Sequence, residues 1–373
     1  MPFAVLSNDN DSGAGREFFR QLTKLLLEER ELQADSRKIC LANVSAPVAC
    51  LIIKKIQGYN ITLRLDGLYY YSYSKQFCSM LERHLGVHDL RSLNVFGYFF
   101  LLLDCCLNLR KNYRLFLKII LANRIIYQSA FSKSLFINYP GFAFFWTGMP
   151  SIIIPNGSRL RNEKEAVPGP NWPVRLASVA SARRGNKGTR EFLEICCELA
   201  ADPKFRLSEV VLVGDILNGP QAGKMARLCR SLRSRGVRVT STGQFKSFDA
   251  VCTDYALRDC IVIWLSRLDP CPNLFIEFLS AGCPAIFVDS GGNREIIGDA
   301  GYRIDLNDHN NLGYFCNLSL FSQNGNVDRA KVLVGVDHIM ADFRGFSARS
   351  LERVRSEMSL EKVAFRYKQF LIT

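Results

Sequence analysis

The sequence predicts an α/β protein with two Rossmann-like, doubly wound domains whose parallel sheets face a central cleft. Short apolar runs alternate with segments of helical spacing, as expected when helices cover both faces of a parallel sheet. The segment Pro168-Gly-Pro-Asn-Trp-Pro173 interrupts this alternation, which then starts again. The chain has 373 residues, of which 48% are hydrophobic, so it can bury two cores.

The first predicted domain spans residues 1–167. A strand is expected over residues 3–7, followed by a helix over residues 16–31 that turns Phe18, Leu22 and Leu26 towards a core. Further strands are predicted over residues 39–42, 49–53, 61–65, 124–127 and 151–154, with helices between them.

The second predicted domain spans residues 168–345. Its expected strands cover residues 174–180, 209–213, 237–241, 260–265 and 283–289, and its helices residues 188–201, 223–234 and 273–282. Residues 346–373 form a third segment, with a helical pattern from about residue 347 in which Leu351, Val354, Met358 and Phe365 are the apolar positions.

The formal net charge is +13. The densest basic segment contains Arg110, Lys111, Arg114, Lys118 and Arg124 and follows the apolar run 95–103, which is far shorter than the roughly 20 residues of a membrane span. Two interpretations stay open: a face in peripheral contact with an anionic membrane, or a core helix followed by a solvated basic helix. Nucleic acid ranks last, because no nucleic-acid motif accompanies the charge.

Thirteen cysteines without a secretory signal fit a reducing compartment, so we expect a cytoplasmic protein, with peripheral membrane association left open. No metal site is predicted. The pair His84 and His88 has helical i, i+4 spacing but no third ligand in a recognisable motif.

Residues 266–295 carry the most informative pattern. Two carboxylates, Asp269 and Glu277, are separated by a loop that Pro270 and Pro272 keep out of a helix. The run Asn273–Gly282 then predicts a helix with Asn273 near its cap, and Ser290-Gly-Gly-Asn293 a turn into another helix. Free backbone N–H groups at two helix starts are expected to bind a diphosphate.

This region resembles the donor-binding region of glycosyltransferase family 4, whose members are retaining enzymes with the two-domain GT-B fold. The family's Glu-x7-Glu motif would fall on Asp269 and Glu277, in step with Gly282-Cys-Pro284 and Gly291-Gly-Asn-Arg-Glu295. Other stretches that are similar to the family, in the same order, are Leu63–Gly67, Tyr127–Lys133 with Ile153–Gly157, and Ala180–Gly188.

The resemblance implies a role for each matching residue. The implied catalytic residues are Asp269, Lys187 and Arg184; the implied donor-binding residues are Glu277, Arg183, Asn273, Leu274, Gly291, Gly292 and Glu295; Asp66 and Gly67 are implied on the acceptor or sugar side. The family's arginine stands five residues before the lysine, where this chain has Ala182, so Arg183 or Arg184 would take its role. Cations at this loop suit a leaving nucleoside diphosphate, which gains negative charge in the transition state.

We therefore expect a metal-independent retaining glycosyltransferase of the EC 2.4, hexosyltransferase-like class that needs no cofactor. Its second domain would bind a nucleotide diphosphate sugar and its first a glycan, lipid-linked or protein acceptor, in polysaccharide or glycoconjugate biosynthesis. The tail 346–373 would pack back on the first domain, as in relatives. The alternatives are a sugar-nucleotide epimerase or hydrolase on the same fold, or a non-catalytic membrane-apposed protein that binds a sugar nucleotide.

Overall fold

A computed structural model describes residues 3–7, 14–34, 36–65, 113–137, 148–161, 173–181, 187–216, 218, 221–243, 248–267, 269–305 and 327–373. These residues form two compact units. The first contains the chain up to Pro155 together with Val363–Thr373, and the second begins at Asn156 and includes Val327–Lys362. Residues 156–161, which the sequence pattern assigned to the first domain, are therefore grouped with the second unit.

The first unit contains a parallel sheet of five described strands in the order β1-β2-β3-β4-β5, which is also their order along the chain. The strands are β1 (Phe3–Leu6), β2 (Ile39–Asn43), β3 (Asn60–Leu65), β4 (Arg124–Tyr127) and β5 (Ser151–Ile153). The helices are α1 (Ala14–Glu28), α2 (Arg30–Ala34), α3 (Val48–Ile56), α4 (residues 113–121) and α5 (Ala130–Ile137).

The strand predicted over residues 49–53 is wrong, because these residues belong to helix α3. A short apolar run does not by itself distinguish a strand from a helix. Here the topology decides: β2 and β3 are parallel neighbours, so the chain between them must reverse direction twice, and a helix is the usual crossover. Only Leu51 of this helix is buried.

The second unit contains six parallel strands in the order β11-β10-β9-β6-β7-β8. The strands are β6 (Arg175–Ser181), β7 (Glu209–Asp215), β8 (Arg238–Ser241), β9 (Ile261–Trp264), β10 (Ala285–Val288) and β11 (Gly301–Ile304). The main helices are α6 (Thr189–Leu199), α7 (Ala222–Ser234), α8 (Phe248–Asp254), α9 (Asn273–Ser280), α10 (Asn293–Ile297), α11 (Arg329–Ala341) and α12 (Phe343–Arg353). The last helix, α13 (Leu360–Ile372), belongs to the first unit from Val363 onwards.

Both faces of the second sheet are buried. Alternate residues of one strand enter different cores: Leu176 lies in a cluster with Phe192 and Val332, whereas Ala177 lies in a cluster with Phe278 and Phe287. Helices therefore cover the sheet on both sides, and the prediction of two α/β domains with parallel sheets is confirmed.

Of the four apolar positions in the tail pattern, Phe365 has an exposed side chain. Between α12 and α13 lie a π-helical turn, Val354–Met358, and the extended residue Ser359. This interruption shifts the phase of the helix, because a π turn holds more residues than an α turn. The buried positions that follow are Leu360, Val363, Ala364, Tyr367 and Leu371, which share one side of α13 and leave Phe365 on the other.

Residues Val363–Thr373 are part of the first unit. Lys368 Nζ donates to Glu29 at 2.8 Å, and the guanidinium of Arg366 donates to the Ile153 carbonyl at 2.8 Å. Among the described residues there is no helix with the length and apolarity needed to cross a membrane.

Candidate functional site

The strand order of the second unit identifies where a ligand would bind. Numbered within the unit, the strands follow the order 3-2-1-4-5-6, which reverses between β6 and β9. In open α/β sheets, ligands bind at the carboxyl ends of the strands at such a reversal. Lys187 lies in the loop after β6, and Ser266 and Asp269 lie in the loop after β9.

The predicted catalytic pair, Lys187 and Asp269, is in direct contact at this point. Lys187 Nζ donates to Asp269 Oδ2 at 2.7 Å and to Ser266 Oγ at 3.2 Å. The two charged side chains are only 15% and 17% exposed, so the ion pair is largely shielded from water. An ammonium group has three N–H donors, and these two bonds use two of them.

Gly188 brings the lysine loop close to the second loop. Its φ of +67° is in the left-handed region, and a Cβ built on it would lie 2.6 Å from Leu265 Cβ and 2.9 Å from the Leu265 carbonyl oxygen. A larger residue would push the loops apart. The close approach of Gly188 to Leu265, the neighbour of Ser266, explains how Lys187 reaches the loop after β9.

An aromatic pair lies beneath the lysine. Trp264, at the end of β9, stacks on Phe275 of α9 with ring centroids 4.5 Å apart and an interplanar angle of 15°. Lys187 Nζ is 5.8 Å from the centroid of the Trp264 ring, within the range of a cation–π interaction. The stack fixes α9 against the strand that leads to Ser266.

Helix α9 carries three of the predicted donor-binding residues on its accessible side, which we call the strip of α9. Asn273, Leu274 and Glu277 are its only half-exposed residues, and its other five residues are buried. Positions i, i+1 and i+4 share one side of a helix, so the three side chains are neighbours. Asn273 is the first helical residue but does not cap the helix, because the structure records no side-chain cap and its Oδ1 accepts a hydrogen bond from Asn156 Nδ2.

The Gly-Gly turn is bonded to the aspartate loop. The N–H of Gly292 donates to the Asp269 carbonyl at 2.8 Å, and the N–H of Asn293 donates to Ser290. The expectation that the N–H groups at this helix start are free is therefore wrong for these two. Gly291 has a φ of +66°, a left-handed conformation that allows the chain to turn here. The turn places the N–H of Gly292 where it holds the backbone of Asp269.

Asn293 connects the same two loops from inside the protein. It is fully buried, and its Nδ2 donates to the Ser266 carbonyl at 2.9 Å and to the Val288 carbonyl at 3.1 Å. Glu295 follows on α10 and is half-exposed, while Arg353 holds this short helix by donating to the carbonyls of Glu295 and Ile296 at 2.6 and 3.1 Å.

Four predicted site residues, Arg183, Arg184, Asp66 and Gly67, lie outside the described residues, as do His84 and His88. The sequence reasoning missed Ser266, Asn293 and Asn156. Ser266 and Asn293 are buried polar residues next to strand ends or turns, and such positions are signals that could have identified them. Among the described residues, no group of three His, Cys, Asp or Glu side chains is placed to hold a metal ion.

A second ion pair lies on the same two elements. Arg267 follows Ser266 and pairs with Glu191 of the first turn of α6 at 2.8 Å, with both side chains less than a fifth exposed. Like the pair of Lys187 and Asp269, this pair joins the segment after β6 to the loop after β9.

Comparisons with known proteins identify structural relatives only. No protein-family model matches the chain, and no curated protein matches it by sequence. HepE from Anabaena, solved with UDP and glucose, is similar over 100% of both chains, with a TM-score of 0.60 and 13% identity. Sucrose-phosphate synthase from Thermosynechococcus elongatus covers 99% of this chain and 87% of its own, with a TM-score of 0.54 and 14% identity.

A glycosyltransferase from Rickettsia africae is similar over 98% of this chain and 82% of its own, with a TM-score of 0.55 and 13% identity. At such identities the likeness establishes the fold. With its two parallel-sheet units, the chain has the GT-B fold of these glycosyltransferases.

Proposed function

We propose that this protein is a retaining glycosyltransferase of family 4 that transfers a sugar from a nucleotide diphosphate sugar to an acceptor. The observation that carries the proposal is the shielded pair of Lys187 and Asp269 at the reversal of the second sheet. Several proteins of similar fold were solved with UDP, UDP-glucose, or UDP with a sugar, which makes UDP-sugars the first donors to test.

Lys187 would neutralise the diphosphate of the donor. A departing nucleoside diphosphate gains negative charge in the transition state, and a fixed cation stabilises that charge more than it stabilises the ground state. Asp269 and Ser266 hold the ammonium by its N–H groups, so it need not be ordered when the donor binds. We assign Arg183 or Arg184, from the same loop, as a second cation for the diphosphate.

Glu277 and Asn273 would bind the ribose. The strip of α9 offers a carboxylate and an amide one helical turn apart, and adjacent ribose hydroxyls can donate to a carboxylate. Leu274 would supply the apolar contact between them, and Glu295 would contact the sugar from the next helix. Asp269 would lie beside the donor sugar and the oxocarbenium-like transition state.

We further propose that transfer proceeds without a metal ion, since side-chain cations at the lysine loop would supply the positive charge that the diphosphate needs. The acceptor would be a glycan or a lipid-linked sugar bound by the first unit, with Asp66 and Gly67 on the acceptor or sugar side.

A thermal-shift screen against UDP-, GDP-, ADP- and TDP-sugars tests donor binding. A ligand at about 100 times its Kd stabilises the folded state by about 2.7 kcal/mol, which corresponds to a Tm increase of about 5–10 °C for a domain of this size. The control is Lys187→Met, for which a roughly ten- to hundredfold higher Kd leaves about 0.4–1.4 kcal/mol of stabilisation at the same concentration, or a Tm increase of about 1–6 °C. If no sugar nucleotide raises the Tm of the wild-type protein, the proposal is wrong.

A product assay with the best donor then separates the alternatives. Sugar transfer to an added acceptor supports the transferase. Donor conversion at the same rate without an acceptor would indicate an epimerase or hydrolase, and tight binding without turnover across an acceptor panel would indicate a non-catalytic binding protein.

A further inference from the structure

Two helices of the first unit lie side by side on one face of its sheet. Strands β1 to β5 follow one another in space as they do in sequence, and connections between neighbouring parallel strands are right-handed. Helix α3, between β2 and β3, and helix α4, before β4, are therefore on the same side. A hydrogen bond joins them, because Lys55 Nζ at the end of α3 donates to Asn123 Oδ1, just after α4, at 2.8 Å.

The outer surface of these helices is apolar, and we call it the isoleucine face. Buried Leu51 and Ile119 fix the inward sides of α3 and α4. The isoleucine face consists of large exposed side chains: Ile52 (43% exposed), Ile53 (53%), Ile56 (81%), Tyr113 (57%) and Ile120 (50%). Five of the eight exposed large hydrophobic residues found among the described residues belong to this face. Isolated exposed apolar residues are ordinary, but a contiguous group marks an interaction site.

The two helices that carry the isoleucine face have charged side chains of a single sign. Neither residues 36–65 nor residues 105–162 contain any aspartate or glutamate. Lys38 reaches the end of α3, where its Nζ donates to the Gln57 carbonyl at 2.9 Å, and Lys54 lies over the Tyr59 ring at 4.3 Å. Lys55 and Arg114 are also exposed. Cations thus accompany the isoleucines on both helices.

We propose that the isoleucine face docks on an anionic lipid surface. Apolar side chains beside lysines are the composition of helices that lie in a membrane interface, with the side chains in the headgroup region and the ammonium groups against lipid phosphates. A nucleic acid would use the cations but would leave the isoleucines in water. A site for an acidic protein would place the charges around the apolar residues in a specific pairing pattern, which lysines distributed along two helices do not offer. This proposal does not depend on the proposed glycosyl transfer.

Vesicle flotation of the full chain tests the proposal. Wild-type protein is expected to float with phosphatidylcholine vesicles containing about 30% phosphatidylglycerol at about 0.1 M NaCl, and much less with pure phosphatidylcholine. The variant Ile52→Ser/Ile56→Ser should bind at least about tenfold more weakly, because each exposed isoleucine loses its burial in lipid. Lys38→Gln and Lys54→Gln should each weaken binding about fivefold, the equivalent of about 1 kcal/mol per lysine.

The matched control is Val334→Ser on α11, an apolar residue of similar exposure (55%) in the second unit, which should float as the wild type does. Lys187→Met should also float normally, so failure of the glycosyltransferase proposal and failure of this one are distinguishable. The substitutions at Lys38, Ile52, Ile56 and Val334 change exposed side chains, and an unchanged Tm will verify folding for every variant. Absence of flotation, equal flotation with neutral vesicles, or full binding by the isoleucine variant would overturn the proposal. So would a dimer that the isoleucine variant converts to monomer.

Discussion

Replacing Lys187 with methionine gives the sharpest test of the site. Methionine keeps the length and apolar volume of the lysine stem, so Lys187→Met removes the ammonium, and with it the cation–π contact with Trp264, without opening a cavity. Loss of a single preorganised group that stabilises a developing anion typically lowers kcat by about 10²- to 10³-fold, or about 2.7–4 kcal/mol. We expect a loss of this size in turnover of the best donor.

Ground-state binding should be affected less. A hydrogen bond to a charged group contributes about 1.5–3 kcal/mol, so the Kd of the nucleoside diphosphate should rise about ten- to hundredfold. The measurements are calorimetric titration with UDP, or with the nucleotide selected by the screen, and initial rates with its sugar conjugate. A larger loss in kcat than in affinity is the pattern that a transition-state role requires.

The control variant is Lys204→Met. Lys204 also forms an ion pair in the second unit, with Asp337, but both side chains of this pair are exposed. We expect less than a twofold change in either constant, because exposed pairs contribute little. Wild-type affinity and turnover in Lys187→Met, with a native circular dichroism spectrum, would refute the assignment of the site.

Three further outcomes follow from the second unit. Gly188→Ala should lower stability by about 1–3 kcal/mol and abolish turnover, because its Cβ would overlap Leu265 at 2.6 Å; an unchanged Tm and rate would contradict this. Glu209 is buried and pairs with Arg175 at 2.6 Å and with Arg238 at 2.8 Å. Glu209→Ala should lower the free energy of unfolding, measured in urea, by about 3–5 kcal/mol, whereas Glu352→Ala at an exposed pair should change it little. Burial raises the pKa of Cys260 from 9.0 to about 12, so the folded thiol holds its proton more tightly. The stability from this thiol is fully present below pH 9 and is lost as the pH rises towards 12. Burial also raises the pKa of the Cys40 and Cys252 thiols, so urea unfolding across this range should show a smaller loss of stability in Cys260→Ala than in the wild type, and an equal loss would contradict the assignment.

Much of the second unit could be predicted from the sequence because its pattern is redundant. Buried parallel strands are almost uniformly apolar, and β7, β9 and β10 are bounded by turn residues that mark their ends. Lys187 and Asp269 could be selected together because a resemblance gave both positions. Spacing alone could not place them in contact, since they are 82 residues apart and meet only when β6 and β9 become neighbours.

Other features depend on tertiary structure. The apolar run in α3 has the composition of a strand, and only the parallel pairing of its neighbours decides that it is a helix. Phe365 is exposed because the π turn before it changes the phase, which no periodicity in the sequence reveals. Ser266 and Asn293 are ordinary polar residues in the sequence, and their importance comes from the carbonyl and ammonium groups that surround them in the fold.

The bonding of Lys187 explains how a closed ion pair would also bind the proposed donor. If a diphosphate had to replace Asp269, binding would cost the interaction of a shielded pair, and such pairs are expensive to break. The ammonium uses two of its three donors for Asp269 and Ser266, so the remaining N–H can reach a phosphate oxygen while the pair stays intact. Asp269 would then orient the cation. The conformational entropy of the lysine side chain is lost during folding, so it would not have to be lost again when the diphosphate binds. On this reasoning Asp269→Asn should weaken donor binding even though it removes a negative charge from the site, whereas simple charge repulsion between Asp269 and the phosphates predicts tighter binding. The sign of the change in Kd decides between the two.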